Sequence, residues 1–226
     1  MDKSKVCVIS ASFGDYKSYY RSIDHLGVDG YIFTDSNDNI KIEGNNWKQV
    51  QSNYFFSKEQ YMIPKYYKCY WHNIPELDKY DVIVWIDSTI EILTLPLEHI
   101  IEHDLVIYSH AFRKNSYAEI DASVDSRWNL YKDGLSEQKA NCPKSKWLAT
   151  TCFMVSKRNE KIVKMNNHWF SDIILYSPQC QASLPLACEY ADVKVKLLDG
   201  GRGVRNSSHS RTASYIRHNH VEIYYE

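Results

Sequence analysis

The sequence predicts a single α/β domain over residues 1–226, with a mostly parallel central sheet and helices on both faces. Short apolar runs rich in β-branched and aromatic residues alternate along the chain with stretches of helical pattern, the order that builds parallel sheets. The strongest run, Asp81-Val82-Ile83-Val84-Trp85-Ile86-Asp87, is apolar without alternation, as expected when both faces of a sheet are covered. A chain of 226 residues, 44% apolar and 24% charged, is also long enough to bury a large core.

The first strand is predicted at 6–9, between lysines and the small-residue loop Ala11-Ser12-Phe13-Gly14-Asp15-Tyr16. Tyr31-Ile32-Phe33-Thr34 is a second strand, stopped by the polar cluster Asp35-Ser36-Asn37-Asp38-Asn39. A helix is predicted over 57–72, with Ser57 at its N-cap and Gln60 three residues on; Pro64 offers another start, at the first turn of a shorter helix. After the Asp81–Asp87 strand come runs at 90–93, 105–108, 152–155 and 193–198, with helices predicted at 118–130, 159–176 and 179–190. Ligands of open α/β sheets bind beyond the carboxyl ends of the strands, at the switch in topology. Functional residues are therefore expected at 11–16, 34–38 and 87–89.

A net charge of −1 and a pI near 6.7 argue against a dedicated nucleic-acid binder, which carries a basic surplus or stripe. No apolar run approaches the roughly 18 residues of a membrane span. The start, MDKSKVCVIS, has neither a full signal-peptide core nor a small-residue cleavage site, so a cytoplasmic location is expected. Six scattered cysteines without a C-x-x-C pair point to reduced, mostly buried thiols. Tyr (18) and Trp (6) together outnumber Phe (7), and rings with a polar handle line sugar and nucleotide sites as well as ordinary cores. None of the eight glycines forms G-x-G-x-x-G or a P-loop, and neither G-x-S-x-G nor H-E-x-x-H occurs. A bound nucleotide then needs another neutraliser for its diphosphate, for which a divalent cation is the usual choice.

Asp87 ends the strongest strand, where a buried carboxylate must be paired, capped or bound to metal. Two readings stand: a cap for the following turn, or a ligand for Mg²⁺ or Mn²⁺. The order of short segments around it decides between function classes. Phe13-Gly14-Asp15-Tyr16 is followed by Tyr31-Ile32-Phe33-Thr34-Asp35, a lone Trp47, Lys65-Tyr66-Tyr67-Lys68, and Tyr80-Asp81 leading to Trp85-Ile86-Asp87. Then come His110, Arg113, Tyr117-Ala118-Glu119, Trp169, Tyr176-Ser177 and Gln181-Ala182-Ser183-Leu184-Pro185.

In this order the chain resembles nucleotide-sugar glycosyltransferases of the GT-A type. More closely, it resembles the small glycosyltransferase-like family first catalogued as a domain of unknown function, found in plant cell-wall and bacterial polysaccharide proteins. The resemblance implies a GT-A-like (Rossmann-like) fold, with a nucleotide-binding half at about 1–95 and an acceptor and sugar half at about 96–226. It implies transfer of a sugar from a nucleoside diphosphate donor, a uridine one, to a glycan or other hydroxyl acceptor with Mn²⁺ or Mg²⁺. A protein of this kind can also work at the periphery of a membrane where glycans are assembled.

The implied roles follow the segments. Ala11 to Tyr16 hold the nucleoside, with Phe13 or Tyr16 against the base, and Asp35 accepts from base or ribose. Asp87 stands at the metal position, with Ser88 beside the donor and Thr89, His218 or His220 completing the metal sphere. Lys65 and Lys68 share one helical face, which is either a solvated basic surface or a contact to the donor diphosphate. Arg113 orients hydroxyl groups; Glu119, Asp121 or Asp125 supplies a general base; Gln181 lies beside the donor sugar and leans toward retention. Asp199-Gly200-Gly201-Arg202-Gly203-Val204-Arg205 reads as a surface loop, or as a lid whose Arg202 and Arg205 close on phosphate.

Two departures stand out. Asp87-Ser88-Thr89 has a single carboxylate where the D-x-D metal motif has two, and Cys180 replaces the acid expected before Gln181. A neutral thiol there cannot anchor a lysine or a sugar hydroxyl as a carboxylate does, so Cys180 implies a buried structural thiol, altered sugar preference or weakened catalysis. These departures sustain a second reading, a non-catalytic carbohydrate- or nucleotide-sugar-binding domain. A metal-dependent hydrolase on a similar scaffold is a third.

Overall fold

The computed structural model describes residues 2–36, 39–52, 59, 61–88, 90–126, 128–199, 214–217 and 221–225. The strands are β1 (Val6–Ser12), β2 (Ser18–Tyr20), β3 (Asp29–Thr34), β4 (Ile40–Ile42), β5 (Trp47–Gln51), β6 (Val82–Ile86), β7 (Ile90–Ile92), β8 (Leu105–Ser109), β9 (Ala149–Lys157), β10 (Val195–Leu198), β11 (Ser214–Arg217) and β12 (Val221–Tyr225). The helices are α1 (Ile63–Tyr70), α2 (Leu97–Ile100), α3 (Ser116–Val124), α4 (Lys132–Asn141), α5 (Glu160–Leu175) and α6 (Leu184–Tyr190).

Seven strands form the central sheet in the order β10-β8-β9-β6-β1-β3-β5. Every pairing in it is parallel except those of β9, which runs antiparallel to both β6 and β8. The fold is therefore α/β with a mostly parallel sheet, and residues on both sides of position 95 share that one sheet. The apolar run of β6 has its physical reason: Val82, Val84 and Ile86 pack into one layer, Ile83 and Trp85 into the other. On the second of these layers lie α1, α5 and α6, through Tyr67, Cys69, Met165, Trp169, Leu184 and Ala187. Onto the other face pack the single-turn α2 and the short strands β2, β4 and β7, through Tyr20, Ile40, Ile42, Ile90, Ile92, Leu97 and Ile100.

Several boundaries differ from expectation. The helix predicted from residue 57 is α1, with Pro64 in its first turn, where a missing N–H costs nothing; Ser57 and Gln60 lie outside the described residues. The segment 118–130 becomes α3, which starts two residues earlier because the Asn115 side chain accepts from Ala118 N–H. It is followed by the unpredicted α4. Gly134 hides that helix in the sequence, yet it is required: a Cβ there would lie 2.0 Å from the Tyr176 carbonyl oxygen. The helix predicted over 179–190 begins only at Leu184, leaving Gln179, Cys180 and Gln181 in an irregular turn. The run at 90–93 leaves the central sheet as β7, and β5, an edge strand with three exposed residues out of five, is not legible as apolar alternation. Among the described residues no helix is long and apolar enough to cross a membrane.

Candidate functional site

A cavity of about 850 Å³ opens at the carboxyl ends of β1 and β6. The chain leaves β1 toward β3 and β5 on one side and returns through β6 on the other, so this is the switch point of the sheet. Ala11, Phe13, Tyr16, Lys65, Asp87, Ser88, Arg113, Glu119 and Gln181 all line the cavity. Asp35 and Lys68 are not among its lining residues. Thr89, Arg202, Arg205, His218 and His220 lie outside the described residues.

The loop after β1 is fixed from behind. Gly14 adopts a left-handed conformation (φ 71°), and its N–H donates to both oxygens of Asp35 at 3.1 and 3.0 Å. The Asp35 carboxylate is thus engaged with backbone. Phe13 is buried in a stack with Tyr67, which stacks in turn on Phe33. Tyr16 is half exposed at the cavity and is the ring of this loop open to a ligand.

At the floor, Asp87 follows β6 and is tied to β9 by its N–H to the Cys152 carbonyl at 2.9 Å. Asp87 Oδ1 accepts from the Trp85 indole N–H at 2.8 Å and from Lys68 Nζ at 3.4 Å. The Lys68 side chain is only 1% exposed, whereas that of Asp87 is 45% exposed. The lysine pair is therefore not a solvated face. Burial works against both charges, but each outweighs it for the other: Lys68, with Lys65, holds the Asp87 carboxyl below its usual pKa, and Asp87 holds the Lys68 ammonium above its own.

Lys65, one turn earlier on α1, points its ammonium at Cys180 Sγ, 3.4 Å away, and Thr151 Oγ1 lies 3.2 Å from the same sulfur. Burial pushes the thiol pKa up, yet Lys65 and Lys68 outweigh it and bring Cys180 below its ordinary value. The sequence expectation is that a thiol here anchors a lysine less firmly than a carboxylate would. The sulfur does engage a lysine, accepting from Lys65 Nζ. Trp169 fixes the turn by donating its indole N–H to the Cys180 carbonyl at 2.8 Å.

The cation expected at Asp87 can be tested against these donors. Among the described residues no group of three or more His, Cys, Asp or Glu side chains is placed to hold a metal ion. The one carboxylate at the floor has one oxygen occupied and two ammonium groups beside it. These described donors do not fit a divalent cation.

The opposite wall is a polar network. Glu119 is 1% exposed; its Oε2 accepts from Arg113 Nε and its Oε1 from Gln179 Nε2 at 2.6 Å. His110 Nδ1 accepts from the backbone N–H groups of Phe112 and Arg113 at 3.1 and 3.0 Å, which ties the loop carrying Arg113 into a turn. Burial, and then the Arg113 charge, push the His110 pKa down to about 4. The folded state thus refuses a proton that the unfolded chain accepts near 6.5. Stability from this group is present above that pH and is lost as pH falls toward 4, by up to about 3 kcal/mol. His110→Asn keeps an acceptor for the turn but cannot titrate. Urea unfolding at pH 7 and pH 4 should show wild type losing more stability than this variant; equal losses would remove the assignment.

Gln179, His110 and Thr151 are site residues that the sequence reading did not select. His110 stood in the matched segments without a role, and Gln179 lies two residues before Gln181. Thr151 was missed because β9 was placed to begin at residue 152; antiparallel to β6, it brings its first residues to the cavity.

No family model and no curated protein matches the chain. Among solved structures, the chain is similar to the X-ray structure of the mannosyltransferase Ktr4p from S. cerevisiae, with a TM-score of 0.43 and 11% sequence identity. The likeness covers 81% of this chain and 66% of that one, so the chain spans just under two thirds of its neighbour's length. A likeness of that extent says nothing about chemistry.

Proposed function

We propose that the protein transfers a sugar from a nucleoside diphosphate donor, with uridine diphosphate as the leaving group, to a hydroxyl of a glycan or other acceptor. One observation carries the reading: a single cavity at the switch point gathers a nucleoside-sized loop, a lysine, a carboxylate, an arginine and a glutamine from segments as distant as Ala11 and Gln181. A volume near 850 Å³ suits a ligand larger than a simple metabolite. In this reading Tyr16 lies against the base, Lys65 and Ser88 face the diphosphate, and Gln181 and Arg113 face the sugar and the incoming hydroxyl. Glu119 and His110 position Arg113.

Incubation with a panel of uridine, guanosine and adenosine diphosphate sugars should release nucleoside diphosphate from at least one, and Gln181→Ala should slow that release at least tenfold. Binding of a nucleotide sugar with no release under any condition would instead establish a binding module, the reading favoured by Cys180 in place of an acid. No nucleotide binding at all would end the proposal.

A further inference from the structure

The floor of the cavity carries more positive charge than one carboxylate balances. Lys68 is committed: it is buried against the Trp85 ring, 5.1 Å from the ring centre, and paired with Asp87. Lys65 is different. It lines the cavity, and the side chains that hold its ammonium in place, Cys180 with Thr151 behind it, line the cavity too. A divalent cation approaching Asp87 meets an oxygen already capped by an indole N–H and a lysine, and two ammonium groups repel it. An anion that reaches the same floor meets the Lys65 ammonium. Ammonium groups bind phosphate as point charges, without needing the fixed fork of arginine.

We propose that this cavity binds the diphosphate of its nucleotide through Lys65 directly, without a divalent cation, and that Cys180 and Thr151 position Lys65 for that contact. The proposal rests on the nucleotide reading above, and it names what neutralises the leaving group. It also gives the departure at Cys180 a purpose. A thiol there aims the lysine while leaving it less strongly paired than a carboxylate would, so its charge remains available to phosphate. Lys68 and Asp87 form the base on which this arrangement stands.

Calorimetric titration of uridine diphosphate into the protein, first in EDTA and then in millimolar Mn²⁺ or Mg²⁺, tests this. Expected are binding in EDTA and a Kd that changes less than about threefold on adding either cation. Lys65→Gln should weaken uridine diphosphate at least tenfold and leave uridine binding unchanged, and Lys65→Arg should restore most of the loss. Far- and near-ultraviolet circular dichroism of each variant separates lost binding from lost folding. Binding that appears only with Mn²⁺ or Mg²⁺ would overturn the inference and leave the nucleotide reading standing. So would equal loss of uridine and uridine diphosphate in a folded Lys65→Gln. No binding in either medium would overturn both.

Discussion

Asp87→Asn should destabilise the fold by about 3 kcal/mol, whatever it does to activity. The reason is the unequal exposure of the pair. Lys68, 1% exposed, has Asp87 as its carboxylate partner; neutralising that partner leaves a buried ammonium with the Trp85 ring but no counter-charge from Asp87, the costly way to break an ion pair. Asn keeps the shape and still accepts the Trp85 N–H, so little packing changes. The reverse removal, Lys68→Met, leaves Asp87 partly hydrated with Lys65 nearby, and should cost only about 1 kcal/mol. Joining the two substitutions removes both charges and should recover most of the loss, giving a large coupling in a double-mutant cycle. In a chain of this size 3 kcal/mol corresponds to a melting shift of roughly 10 °C.

The sign with pH follows from Lys68. Its folded pKa is raised above the ordinary 10.5, so its contribution is complete below that pH and is lost as pH rises through the folded value. Melting curves and urea midpoints at pH 7 for the three variants decide the matter, and an Asp87→Asn protein that melts with wild type would refute the pairing. A dead Asp87→Asn protein would not identify a metal ligand, because the substitution also unseats Lys68. The buried partner behind this effect is invisible in sequence.

The case of Lys68 shows how far the chain can be read without its structure. Two lysines at i and i+3 look identical whether their helix faces water or the sheet, and nothing within α1 says which. Lys68 becomes buried because Trp85 and Asp87 arrive from β6 and Cys180 arrives from a turn more than a hundred residues later. The strand β6 was legible for the opposite reason: cover on both faces leaves its mark in consecutive residues. The same holds for the cavity, since residues that follow buried strands are named by the strands themselves. Edge and surface elements escaped. β5 is too polar to signal a strand, and α4 carries a glycine whose purpose, close approach to the Tyr176 carbonyl, belongs to tertiary structure.

Glu119→Ala should reduce donor turnover on the order of a hundredfold without changing the shape of its pH profile. Glu119 was expected among the candidates for general base, and a buried carboxyl with a pKa raised by desolvation, against the pull of Arg113, superficially suits that task. Its bonds argue otherwise. One oxygen accepts from Arg113 Nε and the other from Gln179 Nε2 at 2.6 Å, so both face protein donors. A base must reach the acceptor hydroxyl, whereas a carboxylate used in this way aims an arginine. If Glu119 acts only through Arg113, then Glu119→Ala and Arg113→Ala should each cost about the same, and the double variant little more, because residues that act as one unit are not additive. A base would behave differently. Its removal would abolish the rise of kcat/KM with pH through its own pKa and would add its cost to that of Arg113→Ala. Turnover of the three variants between pH 4.5 and 8 separates the two roles, and a lost acid limb in Glu119→Ala would return the carboxylate to the reacting atoms.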